Sequence, residues 1–542
     1  MNIREKLAKD FEKIGIKEAV ALLEIPPKDI GADFALPCFK IRKKPEEIAN
    51  LLKSDIVKRA EPKGGYLNIF IDWEKAGPQI LSEILRKKQN YCKGKPKSTL
   101  LVEHTSANPD GPLHIGHFRN SVLGDSIARI MKFCGYRTRT EFYVNDMGRQ
   151  IAIAVFEYLR HGKERGKEKP DWWVVDMYVK GNKRIEDNPM LEEEIRRLME
   201  LFESGDKKIR ACYKKIVDAC LDGHRQTLSE IGIKIDNFRL ESTYLTDVKN
   251  ILAKLKRHLR YDGKRAWLDM SKWGIERQFT LTRSDGTTIY PARDLAYHAD
   301  KFKRARYNIV VIGCDQKLYF EQLKNALSLI YPEEIKRYKI VFYEHLKLPE
   351  GRISTRKGSF ISVDELVKEA KSIAAQIVEE KMPGYSMVEK QKIADAVGIG
   401  ALKWTMLRIS PEKGCVWTDE ALRFDGDTAP YVQYTYARAR SVLRNAGDVK
   451  PKVGVLNDKR EIAILKLLSE FGWVLFKAER DLRPHYIANY ALDLSDAFNE
   501  FYQNVPILKS ENIQARLALT FCVAEMLKLC LNLLGIEALE RM

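Results

Sequence analysis

The sequence predicts an α/β protein with a parallel sheet, preceded by a small α+β region and followed by an all-α bundle. Three observations predict this. From Ser98 onward, short apolar runs alternate with helical patterns, strand then helix then strand. Before about residue 90, one amphipathic helical pattern is mixed with turn and strand signals. After about residue 385 the strand signal ends, and helical patterns run through 391–408, 428–447, 459–482, 484–504 and 511–536.

The elements are justified in order. Asn2 to Leu23 reads as one amphipathic helix. Gly31 to Pro37 is a turn with an extended stretch, Lys40 to Lys44 a basic cluster, and Glu46 to Leu52 a helix. Gly64 to Ile71 reads as a hairpin turn and strand. The polar stretch Lys93-Gly94-Lys95-Pro96-Lys97 marks a boundary, giving a first domain over 1–92. Thr99 to Val102 is a strand, Phe118 to Cys134 carries the apolar face of a helix stopped at Gly135, and Thr138 to Val144 is the next strand. That βαβ unit is parallel by length and handedness. Residues from about 155 to 285 are highly charged and helical, and read as an insertion. The alternation resumes with a helix at Tyr290–Asp300, a strand at Asn308–Ile312, a helix at Tyr319–Leu329 and a strand at Tyr338–Glu344. A polar loop, Leu348 to Gly358, follows, and the α/β domain closes near 385. Residues 386–542 form the helical bundle.

The chain has 542 residues, 45% hydrophobic and 31% charged, with ample material for a core. Its 93 Lys plus Arg against 75 Asp plus Glu give a formal charge of +18, which suits a polyanionic partner. Nine cysteines without any C-x-x-C argue against a zinc ribbon and a disulfide framework, and for a reducing cytoplasmic compartment. No signal peptide or membrane-spanning run stands out.

Chemistry concentrates at Pro112-Leu113-His114-Ile115-Gly116-His117, where a strand gives way to a helix. Backbone N–H groups converge on an anion at such a place. Two histidines at i and i+3 share a helix face, but a metal needs three or four ligands and spacing forces no further one. Gly116 allows a nucleotide to approach the backbone, and the imidazoles can donate to phosphate oxygens as charge builds. The second cluster is Arg352-Ile353-Ser354-Thr355-Arg356-Lys357-Gly358, a glycine-flanked loop whose cations can close over a triphosphate. Alone, such a loop is more often a solvated basic surface.

Together, in this order, the two clusters resemble the HIGH and KMSKS signatures of class I aminoacyl-tRNA synthetases. VEHTSAN at 102–108, PLHIGHFRN, EFYVNDMGRQ at 141–150, Arg283-Ser284-Asp285-Gly286, Tyr290-Pro291-Ala292-Arg293-Asp294 and STRKG narrow the resemblance to arginyl-tRNA synthetases. GADFALP, GGYLNIF, Asp427 to Tyr434 and the ending Leu534 to Met542 extend it over all three regions. The resemblance implies a Rossmann-like class I catalytic domain over 98–385, a tRNA-contacting first domain and an anticodon-binding bundle. It implies an ATP-dependent arginine–tRNA ligase acting on L-arginine and tRNA(Arg), with Mg²⁺ accompanying the triphosphate and tRNA bound before activation.

By resemblance, His114, Gly116, His117, Arg352, Ser354, Arg356 and Lys357 would serve the phosphate chemistry. Tyr290 and Asp294 would hold the guanidinium, while Ser106, Asn108, His117 and Gln316 would hold the α-amino and carboxylate groups. Glu103 matches an acidic position, and a guanidinium wants paired carboxylates. The bundle offers Tyr431, Gln433, Tyr434, Tyr436, Arg438, Arg440 and Arg444 on one helix, of which Tyr431, Gln433, Tyr434 and Arg438 are the expected tRNA contacts. The family implies a monomer. Two departures stand out. Thr355 replaces the second lysine of KMSKS, and no lysine precedes the first histidine in Asp110-Gly111-Pro112, which leaves Arg356 or Lys357 as the cation. Tyr319 stands where the family carries histidine in Q-x-x-H-F. The rival readings are a class I synthetase for another amino acid and a catalytically silent RNA-binding relative.

Overall fold

The computed structural model describes residues 3–17, 19–162, 166–347 and 361–542. They form two compact units, one of residues 95–376 with 405–420, the other of 1–94, 377–404 and 421–542.

The first unit is built on five parallel strands in the order Tyr338–Tyr343, Tyr307–Gly313, Thr99–Glu103, Arg137–Val144, Asn237–Leu240. The central strands are apolar along their length because helices cover both faces of a parallel sheet. Leu100, Leu101, Val102, Ile309, Val310 and Val311 are all buried. The chain starts in the middle, builds outward through Arg137–Val144, then returns to the other side of Thr99–Glu103 with Tyr307–Gly313. The order therefore reverses between these two neighbours, and the carboxyl ends Glu103 and Gly313 open the crevice where such sheets bind ligands.

The stretch read as a helical insertion holds four helices, Arg149–His161, Pro170–Asp187, Glu192–Ser204 and Lys207–Glu230. It also holds two features that the helical reading missed. Asn237–Leu240 is the edge strand of the main sheet, and Leu259–Asp262, Arg265–Leu268 and Phe279–Thr280 form a small antiparallel sheet. All are two to four residues long and largely half-exposed or charged, too short to display a period of two.

In the second unit the order Phe34–Pro37, Tyr66–Ile71, Val57–Lys63 makes an antiparallel sheet. The expected single N-terminal helix is two, Ile3–Glu12 and Ala19–Leu22, because the chain turns at Gly15 with φ +80°. The unit also holds the helices Ala429–Asn445, Lys459–Asp481, His485–Asn504 and Ile513–Leu533, and the N-terminal part packs directly on Lys459–Asp481 and Ile513–Leu533. Buried Arg4 donates to Glu470 at 2.9 Å, Lys466 pairs with Asp33 at 2.6 Å, and Gly77 leaves room for the Leu465 side chain. No described helix is long and apolar enough to cross a membrane.

Candidate active site

The crevice is lined first by the turn after Glu103. Thr105 and Ser106 adopt left-handed backbone, φ +80° and +45°, which costs an L-residue roughly 1–3 kcal/mol and needs support. The helix Ile115–Phe133 supplies it. Asn120 Oδ1 accepts from Thr105 N at 2.6 Å, the Thr105 and Ser121 hydroxyls share a 3.0 Å bond, and Asn120 donates to Val311 O at 2.9 Å. The Ser106 hydroxyl is buried and has no hydrogen-bond partner among the described residues, which leaves it available to a ligand.

His114 is the cap of that helix. Its Nδ1 accepts from Gly116 N at 3.1 Å, while His117 Nδ1 accepts from His114 N at 3.3 Å, a reciprocal box. The rings stack 3.6 Å apart. Because both Nδ1 atoms accept, the proton of each neutral ring sits on Nε2, which makes both rings donors there. Burial pushes both imidazoles down, His117 well below its ordinary value with His114 and His345 adding to the effect. A cavity of about 250 Å³ lies against this helix start, with Asn108, Asp110, His114, His117, Gln150 and Tyr178 in its walls. Asn108 donates to Gln150 at 3.0 Å, and burial raises Asp110 to about 6.

Asp294 lies one turn into Tyr290–Arg304 and accepts from the Tyr319 hydroxyl. Burial and the charge of Glu241 raise its carboxyl to about 7. Tyr290 is 53% exposed, its ring 5.3 Å from that of Tyr319. Gln316 is exposed on the turn Cys314–Gln316, directly after the strand end Gly313.

One expectation is corrected here. Glu103 does not face the crevice as a free carboxylate: it is 3% exposed and paired with fully buried Lys301, whose ammonium also meets His298 Nδ1 at 3.2 Å. Its charge is already used. Arg352, Ser354, Arg356 and Lys357 lie outside the described residues. What precedes and follows them is described. Leu346 pairs with Cys415, while Ile115 N donates to Ile361 O at 3.2 Å and Val363 N to Leu113 O at 2.8 Å. The segment leaving the loop thus pairs with the backbone of Leu113–Ile115 at the histidine-bearing turn.

Four contributors escaped the sequence reading. Arg119 is buried and donates to the carbonyls of Glu344, Ser410 and Lys413, the last at 2.8 Å. Asn120 and Ser121 hold the strained turn. The signal was present: three polar residues in a row, Arg119-Asn120-Ser121, at the start of a helix otherwise patterned for burial. His345, bonded to Asp315 at 3.2 Å, stands beside Gly116, where a built Cβ would lie 3.7 Å from its ring.

In the second unit, Tyr434 and Arg438 line a cavity of about 570 Å³ together with Tyr385, Tyr502, Leu508 and Met542. The Arg438 guanidinium lies over the rings of Tyr434 at 4.8 Å and Tyr502 at 5.1 Å. Half-buried Tyr431 donates to Asp496 at 2.8 Å. Gln433 is corrected: it is fully buried and donates to Ala396 O and Glu537 O, so it holds the C-terminal segment and cannot meet a partner. Tyr436 is core as well, bonded to Glu540, which also takes Arg440. Among the described residues, no three His, Cys, Asp or Glu side chains gather as metal ligands.

Comparison with known proteins agrees across the whole chain. Residues 80–410 match the family described as tRNA synthetases class I (R), catalytic domain, and residues 432–542 the DALR anticodon binding domain. The chain is 39% identical to the arginine–tRNA ligase of Archaeoglobus fulgidus over 99% of both chains. It is 36% identical to that of Methanocaldococcus jannaschii over the full length of both. Among solved structures, Thermus thermophilus arginyl-tRNA synthetase superposes with a TM-score of 0.86 at 30% identity, covering 100% of this chain and 99% of that one. The chain belongs to the arginyl-tRNA synthetase family of class I tRNA synthetases.

Proposed function

We propose that this chain is an arginine–tRNA ligase. It activates L-arginine with ATP to arginyl-adenylate and passes the arginyl group to the 3′ end of tRNA(Arg). The observation that carries the reading is the Tyr290–Asp294 helix start, an acid with an aromatic wall, within electrostatic reach of Glu103 at the carboxyl end of the strand that leads to the His114–His117 helix. The arginine carboxylate is already ionised, so attack on the α-phosphorus needs no general base. Positioning and charge stabilisation do the work. Nε2–H of His114 and His117 would donate to phosphate oxygens, and Gly116 leaves room for the nucleotide. The unpartnered Ser106 hydroxyl, Asn108 and Gln316 would take the α-amino and carboxylate groups, and Asp294 the guanidinium. Arg352, Ser354, Arg356 and Lys357 are the loop residues assigned to the departing pyrophosphate. In the second step the terminal ribose 2′-hydroxyl attacks the adenylate carbonyl and AMP leaves.

Mg²⁺ would arrive on the triphosphate. Asp110, on the cavity wall beside both histidines, offers a hard oxygen suited to it. Tyr431, Tyr434 and Arg438 would take anticodon bases at the 570 Å³ cavity. The division of labour we infer is 1–92 for the outer tRNA, 98–385 for catalysis and 386–542 for the anticodon. A cytoplasmic setting fits nine free cysteines, and a monomer follows from the family resemblance alone.

ATP–pyrophosphate exchange with each amino acid, with and without tRNA, tests the reading. Exchange should require arginine. Asp294→Ala should raise the arginine KM steeply and spare that of ATP; exchange with another amino acid in place of arginine would overturn the assignment.

A further inference from the structure

The carboxyl of Asp294 does not stand alone in its pocket. The Tyr319 hydroxyl donates to Oδ2 from the helix Lys317–Ser328, and the Tyr319 ring is itself wedged against Phe279, Tyr290 and Phe320 at centroid distances of 5.8, 5.3 and 5.5 Å. A phenol packed on three sides has one rotamer to offer, so the bond direction is fixed before any ligand arrives. We propose that Tyr319 is a positioning residue for arginine selection: it ties down Oδ2 and leaves Oδ1 of Asp294, ionised, to receive the guanidinium.

The charges around Asp294 make such a donor necessary. Glu241 faces it from the turn after the edge strand, itself held by Arg293, and Glu103 faces it from the central strand, paired with Lys301. Tyr143 comes from the neighbouring strand and turns a buried hydroxyl toward the same carboxyl without closing a bond of standard length. Tyr290, on the same helix, and buried Tyr338, on the strand Tyr338–Tyr343, are further titratable neighbours. Burial and both carboxylates favour the protonated acid, and Tyr319 works against them. A protonated Asp294 would present a hydroxyl to a guanidinium, which has only donors. Arginine binding must therefore be coupled to the charge of Asp294, and Tyr319 sets how much of it is available near neutrality.

This inference rests on Asp294 as the guanidinium partner, and the experiment separates the two. Aminoacylation at saturating ATP and tRNA is followed against arginine concentration from pH 6 to 9. Tyr319→Phe should raise the arginine KM about tenfold at pH 7, as expected for a lost hydrogen bond to a charged group, with kcat nearly unchanged. The acid limb of kcat/KM should move to higher pH and the deficit shrink toward pH 9. A deficit equal at every pH, or no change in KM, overturns the proposal, because a packing defect does not move a titration. Tyr319→3-fluorotyrosine keeps the shape and strengthens the donor, so it serves if the phenylalanine variant fails to fold. Its acid limb should move to lower pH, and an unmoved limb overturns the proposal. Asp294→Asn decides which idea fails. If it leaves the arginine KM alone, the guanidinium assignment and the proposal both fall. If it raises KM while the Tyr319 variants leave the limb in place, only the role of Tyr319 falls.

Discussion

Gly124 of the histidine-bearing helix leaves the space that the His104 ring fills: a Cβ built on Gly124 would lie 2.3 Å from that ring. His104 is wholly buried, and its Nδ1 meets the Thr105 hydroxyl at 3.1 Å. The close approach of helix to strand is thus what presses Asn120 and Ser121 onto the strained Thr105–Ser106 turn. Gly124→Ala is expected to cost about 1–3 kcal/mol or more by overpacking, read as a lower urea midpoint. Thermal and urea unfolding check the stability. Because the turn moves with His104, the arginine KM of the folded fraction should rise as well. A variant as stable as the parent would show that the helix can withdraw freely.

Glu103 and Lys301 form a pair in the core with almost no exposure on either side chain. Removing one partner strands the other, and breaking such a pair typically costs about 3–5 kcal/mol. Glu103→Ala should therefore register first in the unfolding curve. A stable Glu103→Ala protein whose arginine KM alone has risen would return Glu103 to the substrate pocket.

What the sequence made legible follows from signal length. The strands Thr99–Glu103 and Tyr307–Gly313 are continuous apolar runs, and the helix from Ile115 carries a full apolar face, so the central βαβ unit and its crevice could be read directly. Asn237–Leu240 could not, because four half-exposed residues carry no period. Among the candidate site residues, His114, His117, Tyr290 and Asp294 sit in motifs that open helices, a placement the sequence pattern signals. Glu103 and Gln433 sit in equally suggestive words but are buried against partners 198 and 104 positions away. Only three-dimensional contact reveals that a carboxylate or an amide is already satisfied.

His117 gives a prediction about pH. Its folded pKa lies well below the ordinary imidazole value because of burial and the neighbouring rings. The neutral ring that donates through Nε2–H is then fully present above that ordinary value and is lost only on further acidification. Turnover at saturating substrates should show no imidazole step between about pH 6.5 and 8.5. His117→Ala should lower kcat by about 10²–10³, the usual loss for one donor to developing negative charge, and His117→Gln, which restores an N–H, by less. A step near the ordinary imidazole value that vanishes in His117→Gln would mean that the charged ring operates instead.

Arg438 and Gln433 lie five positions apart on the helix Ala429–Asn445 and should behave oppositely. The guanidinium of Arg438 is held between the rings of Tyr434 and Tyr502 at the cavity wall, with Asn499 accepting from it. Stacking on such a platform is worth about 1–3 kcal/mol per base, so Arg438→Ala should raise the tRNA KM by about 5–150-fold. The value of kcat at saturating tRNA should stay close to that of the parent, since the candidate arginine and ATP site lies in the other unit. Gln433→Ala empties a buried site and leaves the carbonyls of Ala396 and Glu537 without their donor. It should cost about 1–3 kcal/mol of stability and leave the tRNA KM of the folded protein nearly unchanged. Steady-state kinetics in tRNA together with urea unfolding of both variants separate the two roles. A selective rise in tRNA KM for Gln433→Ala at unaltered stability would place that side chain back on the RNA-facing surface.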